Sequence, residues 1–258
     1  MKESIVASAN PISVQMYTLR EAVAADYVGT LRALAELGYR AVELVTLGDM
    51  TAAQLRRELD TLGLSVSGMH IGLDKFESNA DLWLENLAVL GGKYPVVPYL
   101  APERRTSGDD YRRLGQQLNE YGRKAKEHGM QLCYHNHDFE FQRYGDATGL
   151  ALLFEEADPA LVKSELDVYW VAKAGVDPQA LLRGMAGSVP LVHIKDMADT
   201  PEQEFAEVGS GTLDFPALFA VGDEIGVEYY VVEQDVCKRP PLESVGISLN
   251  YLRSIGRA

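Results

Sequence analysis

Several things are scarce in this sequence, and each scarcity removes a class of protein. Only two cysteines occur in 258 residues, Cys133 and Cys237, and they form no C-x-x-C pair. That excludes a disulfide framework and makes a reducing compartment the default. Positive charge is short as well. Lys and Arg number 24 against 38 Asp and Glu, a formal net charge of -14. A phosphate backbone or an anionic bilayer repels such a surface, so neither nucleic acid nor a membrane is an expected partner. No apolar run reaches membrane-spanning length. The opening MKESIVASANPISVQ has one early lysine but no apolar stretch of the secretory kind, so a cytoplasmic protein is expected. The first strand-to-helix turn, YTLREAVAAD, contains no glycine. An open dinucleotide-binding sheet usually announces itself with glycines at that turn. Linkers and low-complexity stretches are missing too.

What is present is a repeated unit. A short apolar run ends in a polar residue, a loop follows, and an amphipathic helix closes on glycine. PISVQMYT (11–18) leads to a helix over 26–37, and AVEL (41–44) to one over 52–62. LSVSGMH (64–70) leads to 79–90, and PVVPYL (95–100) to the longest helix, 109–128. MQLCYHN (130–136), VKSELD (162–167), PLVHIKD (190–196) and EYYVVEQD (228–235) continue the series. Their helices are expected over 148–156, over 178–185, from Asp214 onward and over 242–255. Gly38, Gly63, Gly91 and Gly129 serve as helix stops, where a positive φ costs glycine least. Eight such units in a length close to the typical ~250 residues predict a single-domain α/β protein over 1–258, a (β/α)₈ TIM barrel.

In that architecture the chemistry sits at the C-terminal ends of the strands. Strands five to eight end in YHNHDFEF, ELDVYW, HIKD and VVEQD. Residues two apart share a face and neighbouring strands lie about 4.8 Å apart. His135 with His137, His193 with Lys195, and Glu233 with Asp235 therefore form same-side pairs. His135, Asp167, His193 and Glu233 can converge on one ion. Mixed nitrogen and oxygen donors suit one Zn²⁺, Mn²⁺, Fe²⁺ or Co²⁺ ion rather than Ca²⁺. Glu233, His135, His137 and Lys195 are the candidate catalytic groups. Glu43, His70, Tyr169 and Trp170 are the candidate substrate contacts, the two aromatics as a platform for a sugar's C–H face. The loop EVGSGTLDF after strand seven lies where barrels often bind phosphate, a weak signal without a nearby arginine.

The strings YHNHDFEF, ELDVYW, HIKD, EVGSGTLDF and VVEQD, with PISVQMYTLR and LGYRAVEL, resemble the sugar phosphate isomerase/epimerase superfamily of xylose isomerase-like barrels. That superfamily includes ketose 3-epimerases, inosose dehydratase, hydroxypyruvate isomerase and endonuclease IV. The resemblance implies a metal set of Glu, Asp, His and Glu from strands five to eight. Asp167, His193 and Glu233 match the last three, and His135 stands where the epimerases carry the first glutamate. It also implies that Glu233 is a ligand and an acid/base. The expected function is a divalent-metal-dependent isomerase or epimerase acting on a sugar, keto-sugar or cyclic polyol. A dehydratase of the inosose type and a non-catalytic sugar-binding subunit are the alternatives, with homo-oligomerisation left open. Endonuclease chemistry is disfavoured, because only five histidines and a charge of -14 suit neither a multi-zinc centre nor DNA.

Overall fold

Eight short apolar runs pair in parallel and close on themselves. The computed structural model describes residues 11–258; residues 1–10, on which the expectation about a secretory signal partly rests, lie outside the described residues. The strands are β1 (Ile12–Gln15), β2 (Ala41–Leu44), β3 (Ser65–His70), β4 (Tyr94–Val97), β5 (Leu132–His135), β6 (Val162–Asp167), β7 (Leu191–Ile194) and β8 (Tyr229–Val232). Each pairs with its sequence neighbours, and β1 pairs with β8, so the sheet has no free edge. No helix among the described residues is long and apolar enough to cross a membrane.

The helices fall close to where the sequence places them. Tyr27–Leu37, Ala52–Leu62, Gly108–Glu127, Gly149–Glu156, Pro178–Gly184, Phe215–Ile225 and Pro241–Ser254 match their expected spans within a residue or so. Asp26, Thr51, Thr148, Asp177 and Asp214 cap their N-termini through side-chain oxygens. The helix expected from Asn79 is real, but a further stretch precedes it. Leu73–Leu90 is two helical pieces meeting at a non-helical Asn79, whose Oδ1 accepts from the Leu82 amide. Arg20–Ala25 and Val168–Lys173 are one-turn-scale helices that no apolar period announces.

Two apolar layers hold the barrel. The larger lies between strands and helices and includes Leu31, Leu55, Leu84, Leu118 and Leu218. The smaller is Tyr94, Val96, Cys133 and Leu191. Cys133 and Leu191 precede His135 and His193 by two residues, so this plug shares their face of the sheet. At Gly68 a Cβ would lie 2.8 Å from Glu43 Oε1 and 3.0 Å from the Tyr94 carbonyl, so only glycine leaves room for that carboxylate.

The loop after β7, only a weak phosphate signal in the sequence, is occupied from within. Asp196, not an exogenous anion, fills it. Its carboxylate accepts backbone N–H bonds from Met197, Gly209, Gly211 and Leu213 at 2.8, 2.9, 2.8 and 3.1 Å. The donors that a phosphate needs are already satisfied. Asp196→Ala removes the buried acceptor that these four amides share, so unfolding by urea should show a loss of about 3 kcal/mol. Unchanged stability would mean that water replaces the carboxylate at no cost.

Candidate active site

Strand alternation brings the site together. His135 Nε2 lies 3.6 Å from Asp167 Oδ2, and His193 Nδ1 lies 2.7 Å from Glu233 Oε2. The donor atoms of His135, Asp167, His193 and Glu233 all fall within 4.8 Å of one another, and all four residues are buried. Asp167 divides its oxygens. Oδ1 caps the short helix that follows, accepting from the Tyr169 and Trp170 amides at 3.0 and 3.1 Å. Oδ2 is left without a well-aligned hydrogen bond, although Lys195 Nζ stands 2.8 Å away. Lys195 Nζ also lies 2.7 Å from Glu233 Oε2 and 3.2 Å from Asp235 Oδ1.

Beneath this quartet is a second layer, and its centre is Glu165. One oxygen, Oε2, meets His70 Nε2 at 2.8 Å, His135 Nδ1 at 3.0 Å and His193 Nε2 at 3.2 Å. Glu43 Oε2 takes His193 Nε2 at 2.7 Å and the Gln15 amide at 2.6 Å. The consequence is tautomeric. When Glu165 accepts from His135 Nδ1, the lone pair of Nε2 faces Asp167. When Glu43 accepts from His193 Nε2, the Nδ1 side faces Glu233. Buried carboxylates that fix imidazole ligands in this way are a regular companion of metal sites. The donor set, the unaligned Asp167 Oδ2 and the orientation of both rings therefore fit a divalent ion at the quartet.

Residues 31–255 match the family described as the xylose isomerase-like TIM barrel. The chain belongs to that family. Among its relatives is the inosose dehydratase of Geobacillus kaustophilus, 27% identical, with 86% of this chain and 85% of that protein covered. A sugar phosphate isomerase/epimerase from Parabacteroides distasonis superposes with a TM-score of 0.84 at 26% identity, covering 99% of this chain and 98% of the other. An IolI protein solved with a bound zinc atom has the same fold, with a TM-score of 0.76 at 17% identity over 95% of this chain and 98% of that one.

Within this xylose isomerase-like frame, the candidates named from sequence separate into three groups. His70, His135, His137, Trp170 and Glu233 line an open cavity of about 660 Å³ at the C-terminal mouth. Asp167, His193 and Lys195 are buried around its floor. Two expected substrate contacts are corrected. Glu43 is fully buried under His70 and His193, where it orients imidazoles instead of meeting a ligand. Tyr169 is 2% exposed and donates its hydroxyl to the Gln203 carbonyl at 2.7 Å, so Trp170 alone faces the cavity. Lys195, expected to reach substrate, ends among three carboxylates. Glu165 was missed, although it stands two residues before Asp167 and so must share its side. Asp235, two after Glu233, lines the cavity.

Charge in this layer is set by competition between burial and neighbours. Burial alone depresses His193, but Glu165, Glu233 and Glu43 outweigh it and hold the ring well above its ordinary value. His70 follows the same rule and rises to about 9 through Glu43 and Glu165. His135 goes the other way: burial, then the His193 and Lys195 charges, keep it neutral. Burial raises Glu233, yet Lys195 and His193 prevail and keep it ionised. Burial raises Asp235 to about 6 despite Lys195. Burial also lowers His137 to about 3, aided by Lys195.

His137 is itself held from below. Glu140 Oε2 accepts the His137 amide at 2.8 Å, while Glu140 Oε1 accepts the Tyr134 hydroxyl at 2.6 Å. Burial pushes Glu140 up from 4.5 to about 8. The folded state thus binds this proton more tightly than the unfolded chain. The stability it contributes is complete below pH 4.5 and is lost as pH rises through about 8. Glu140→Gln, which cannot ionise, should flatten the decline in unfolding free energy across that window. Parallel pH profiles of wild type and variant would contradict this account.

Proposed function

We propose that the chain is a divalent-metal-dependent enzyme that takes the proton next to the carbonyl of a keto-sugar or keto-polyol and returns it elsewhere, as an isomerase or epimerase. The observation that carries this reading is the convergence of Glu233, Asp167, His135 and His193 at the floor of an open cavity. These four side chains would hold one Zn²⁺, Mn²⁺, Fe²⁺ or Co²⁺ ion. When bound, the ion supplies Lewis-acid polarisation of a carbonyl and its neighbouring hydroxyl. A relic that only binds sugar has no need to keep His135 and Glu233 facing one centre.

The chain's own residues divide the remaining work. Glu233 begins as a carboxylate, with 3% exposure at the cavity floor, and is the base. Lys195 fixes its direction through an ion pair and acts as a positioning residue. His137 lines the cavity wall, where burial and Lys195 keep its imidazole neutral, able to accept a proton but not to store one. Trp170 gives the sugar's C–H face an apolar wall and helps to exclude water.

A dehydratase is the second reading, and one residue favours it. His135 stands where the resembling epimerases carry a carboxylate on strand five, so Glu233 is the one carboxylate acid/base left at the floor. Relatives named inosose dehydratase are consistent with this. Loss of a β-hydroxyl shares the first proton removal, so product mass separates the two: an isomer keeps its mass, a dehydrated product loses one water.

Two variants test the shared step. Asp167→Ala should abolish stoichiometric metal, measured by elemental analysis, with the fold intact by circular dichroism. Full metal content in that variant removes Asp167 from the ligand set. Glu233→Gln keeps the shape and one oxygen but loses the accepting charge. It should retain metal while kcat falls by about 10²- to 10⁴-fold and solvent deuterium no longer enters the product. Turnover near the wild-type rate would place the base elsewhere.

A further inference from the structure

Strand β1 brings no titratable side chain to the site. What it brings is Gln15, 0% exposed and paired in register with Glu43 on β2. The Gln15 amide makes two hydrogen bonds of opposite kind. Its Oε1 accepts the Tyr17 backbone N–H at 3.1 Å, and its Nε2 donates to Glu43 Oε2 at 2.6 Å. An amide has one accepting end and one donating end. Turned over, it would set its NH₂ against the Tyr17 N–H and its oxygen against the Glu43 carboxylate. The Tyr17 N–H therefore fixes which end of Gln15 faces Glu43. That N–H is anchored in turn. It belongs to the 3₁₀ turn Met16–Leu19, where the Thr18 hydroxyl accepts the backbone N–H of Gln234 at 3.0 Å. Gln234 is the residue after Glu233.

The polarity set at Gln15 passes inward. A fixed N–H donor favours the ionised carboxylate, and an ionised carboxylate can only accept. Glu43 Oε2 meets His193 Nε2 at 2.7 Å, so Nε2 is the ring nitrogen that bears hydrogen. Glu165 Oε2, at 3.2 Å, is the more distant acceptor for the same nitrogen. The other nitrogen, Nδ1, faces Glu233. With hydrogen held on Nε2, the lone pair available to the proposed ion is that of Nδ1. Gln15, Glu43 and His193 are all 0% exposed, so bulk water does not compete for these positions.

We infer that Gln15 is a positioning residue for the metal site: by donating to Glu43, it holds the hydrogen of His193 on Nε2 and leaves Nδ1 to ligate. The inference rests on the proposed metal site and assigns the orientation of one ligand to a strand that supplies no ligand itself. An apolar side chain of the same length would leave Glu43 without the donor that directs it. A carboxylate in place of the amide would set two acceptors face to face.

Gln15→Met and Gln15→Glu test it, with circular dichroism to check the fold of each. Zinc affinity is measured by competition with a chromophoric chelator. Both variants should bind zinc about 10- to 100-fold more weakly than wild type, the usual cost of losing a partner that orients a ligand. Nitrogen NMR of zinc-loaded protein with isotope-labelled histidine reads the ring directly. Wild-type His193 should show hydrogen on Nε2 and a ligated Nδ1, and the variants should lose that single pattern. A merely structural role for Gln15 would lower the unfolding free energy but leave zinc affinity and the ring pattern of the folded protein as they are. Zinc affinity within about twofold of wild type in either folded variant would overturn the inference. So would a wild-type His193 with its hydrogen on Nδ1, a measurement that needs no variant to fold. In both cases stoichiometric zinc in the wild type leaves the proposed function standing. If the wild type takes up no stoichiometric zinc, the proposed function and this inference fall together.

Discussion

The mouth of this barrel depends on the clamping of one imidazole. His193 has a carboxylate at each ring nitrogen, Glu233 at Nδ1 and Glu43 at Nε2, with Glu165 beside the latter. Removing charged groups from water is expensive unless each finds a partner in good geometry. The barrel meets that requirement by alternating sign through the layer: Glu43, His193, Glu233, Lys195, then Asp167 and Asp235. Each group is held by the next, so ring orientation, carboxylate direction and the position of the lysine are not independent. Removing one member leaves its neighbours buried and uncompensated. This coupling gives the floor its rigidity, and the surrounding apolar layers carry the stability that such a polar centre does not.

The distribution of function between layers follows from the period of two along each strand. Leu191, His193 and Lys195 climb one face, as do Cys133, His135 and His137. The lowest member packs, the middle one joins the buried quartet, and the upper one meets the mouth or its carboxylates. The same ladder on β2 and β6 puts Glu43 and Glu165 at the middle level. Both stop short of the cavity and act through histidines.

That difference in height explains what could and could not be read before the fold was known. The barrel was legible because short apolar runs recur eight times and Gly38, Gly63, Gly91 and Gly129 stop the first helices between them. The quartet was legible because His135, Asp167, His193 and Glu233 are polar residues ending consecutive apolar strands. Glu165 was not, because a polar residue inside an apolar run looks like an interruption until alternation is counted back from Asp167. Glu43 was recognised as unusual but given the wrong contact, since sequence does not reveal that Gly68 opens a recess for it below the cavity. Tyr169 and Trp170 are adjacent and looked equivalent. The short helix starting at Val168 sends one to the cavity and the other beneath Phe205. The Asp196 loop gave only a weak phosphate signal, and its structure shows what the glycines are for: they form a cradle for an anion that the chain supplies itself.

His135 is where this chain departs from the epimerase pattern it resembles, and the consequence is electrostatic. A divalent ion among three carboxylates and one imidazole carries a net negative charge. Among two carboxylates and two imidazoles it would be neutral, once the ion displaced the proton that the carboxylates around His193 favour. An ion held by His135, Asp167, His193 and Glu233 would polarise a carbonyl more strongly, because less of its charge would already be compensated. It also removes one of the two carboxylates that would move a proton between opposite faces. Burial and the nearby cations keep His135 neutral, which suits it to the ligand role and unsuits it to carrying a proton. Under the proposed chemistry, a second proton-handling group would then come from the cavity wall. On that wall Asp235 is raised to about 6 by burial despite Lys195, whereas His137 is lowered to about 3 and is held as neutral as His135, so Asp235 is the group better matched to that task.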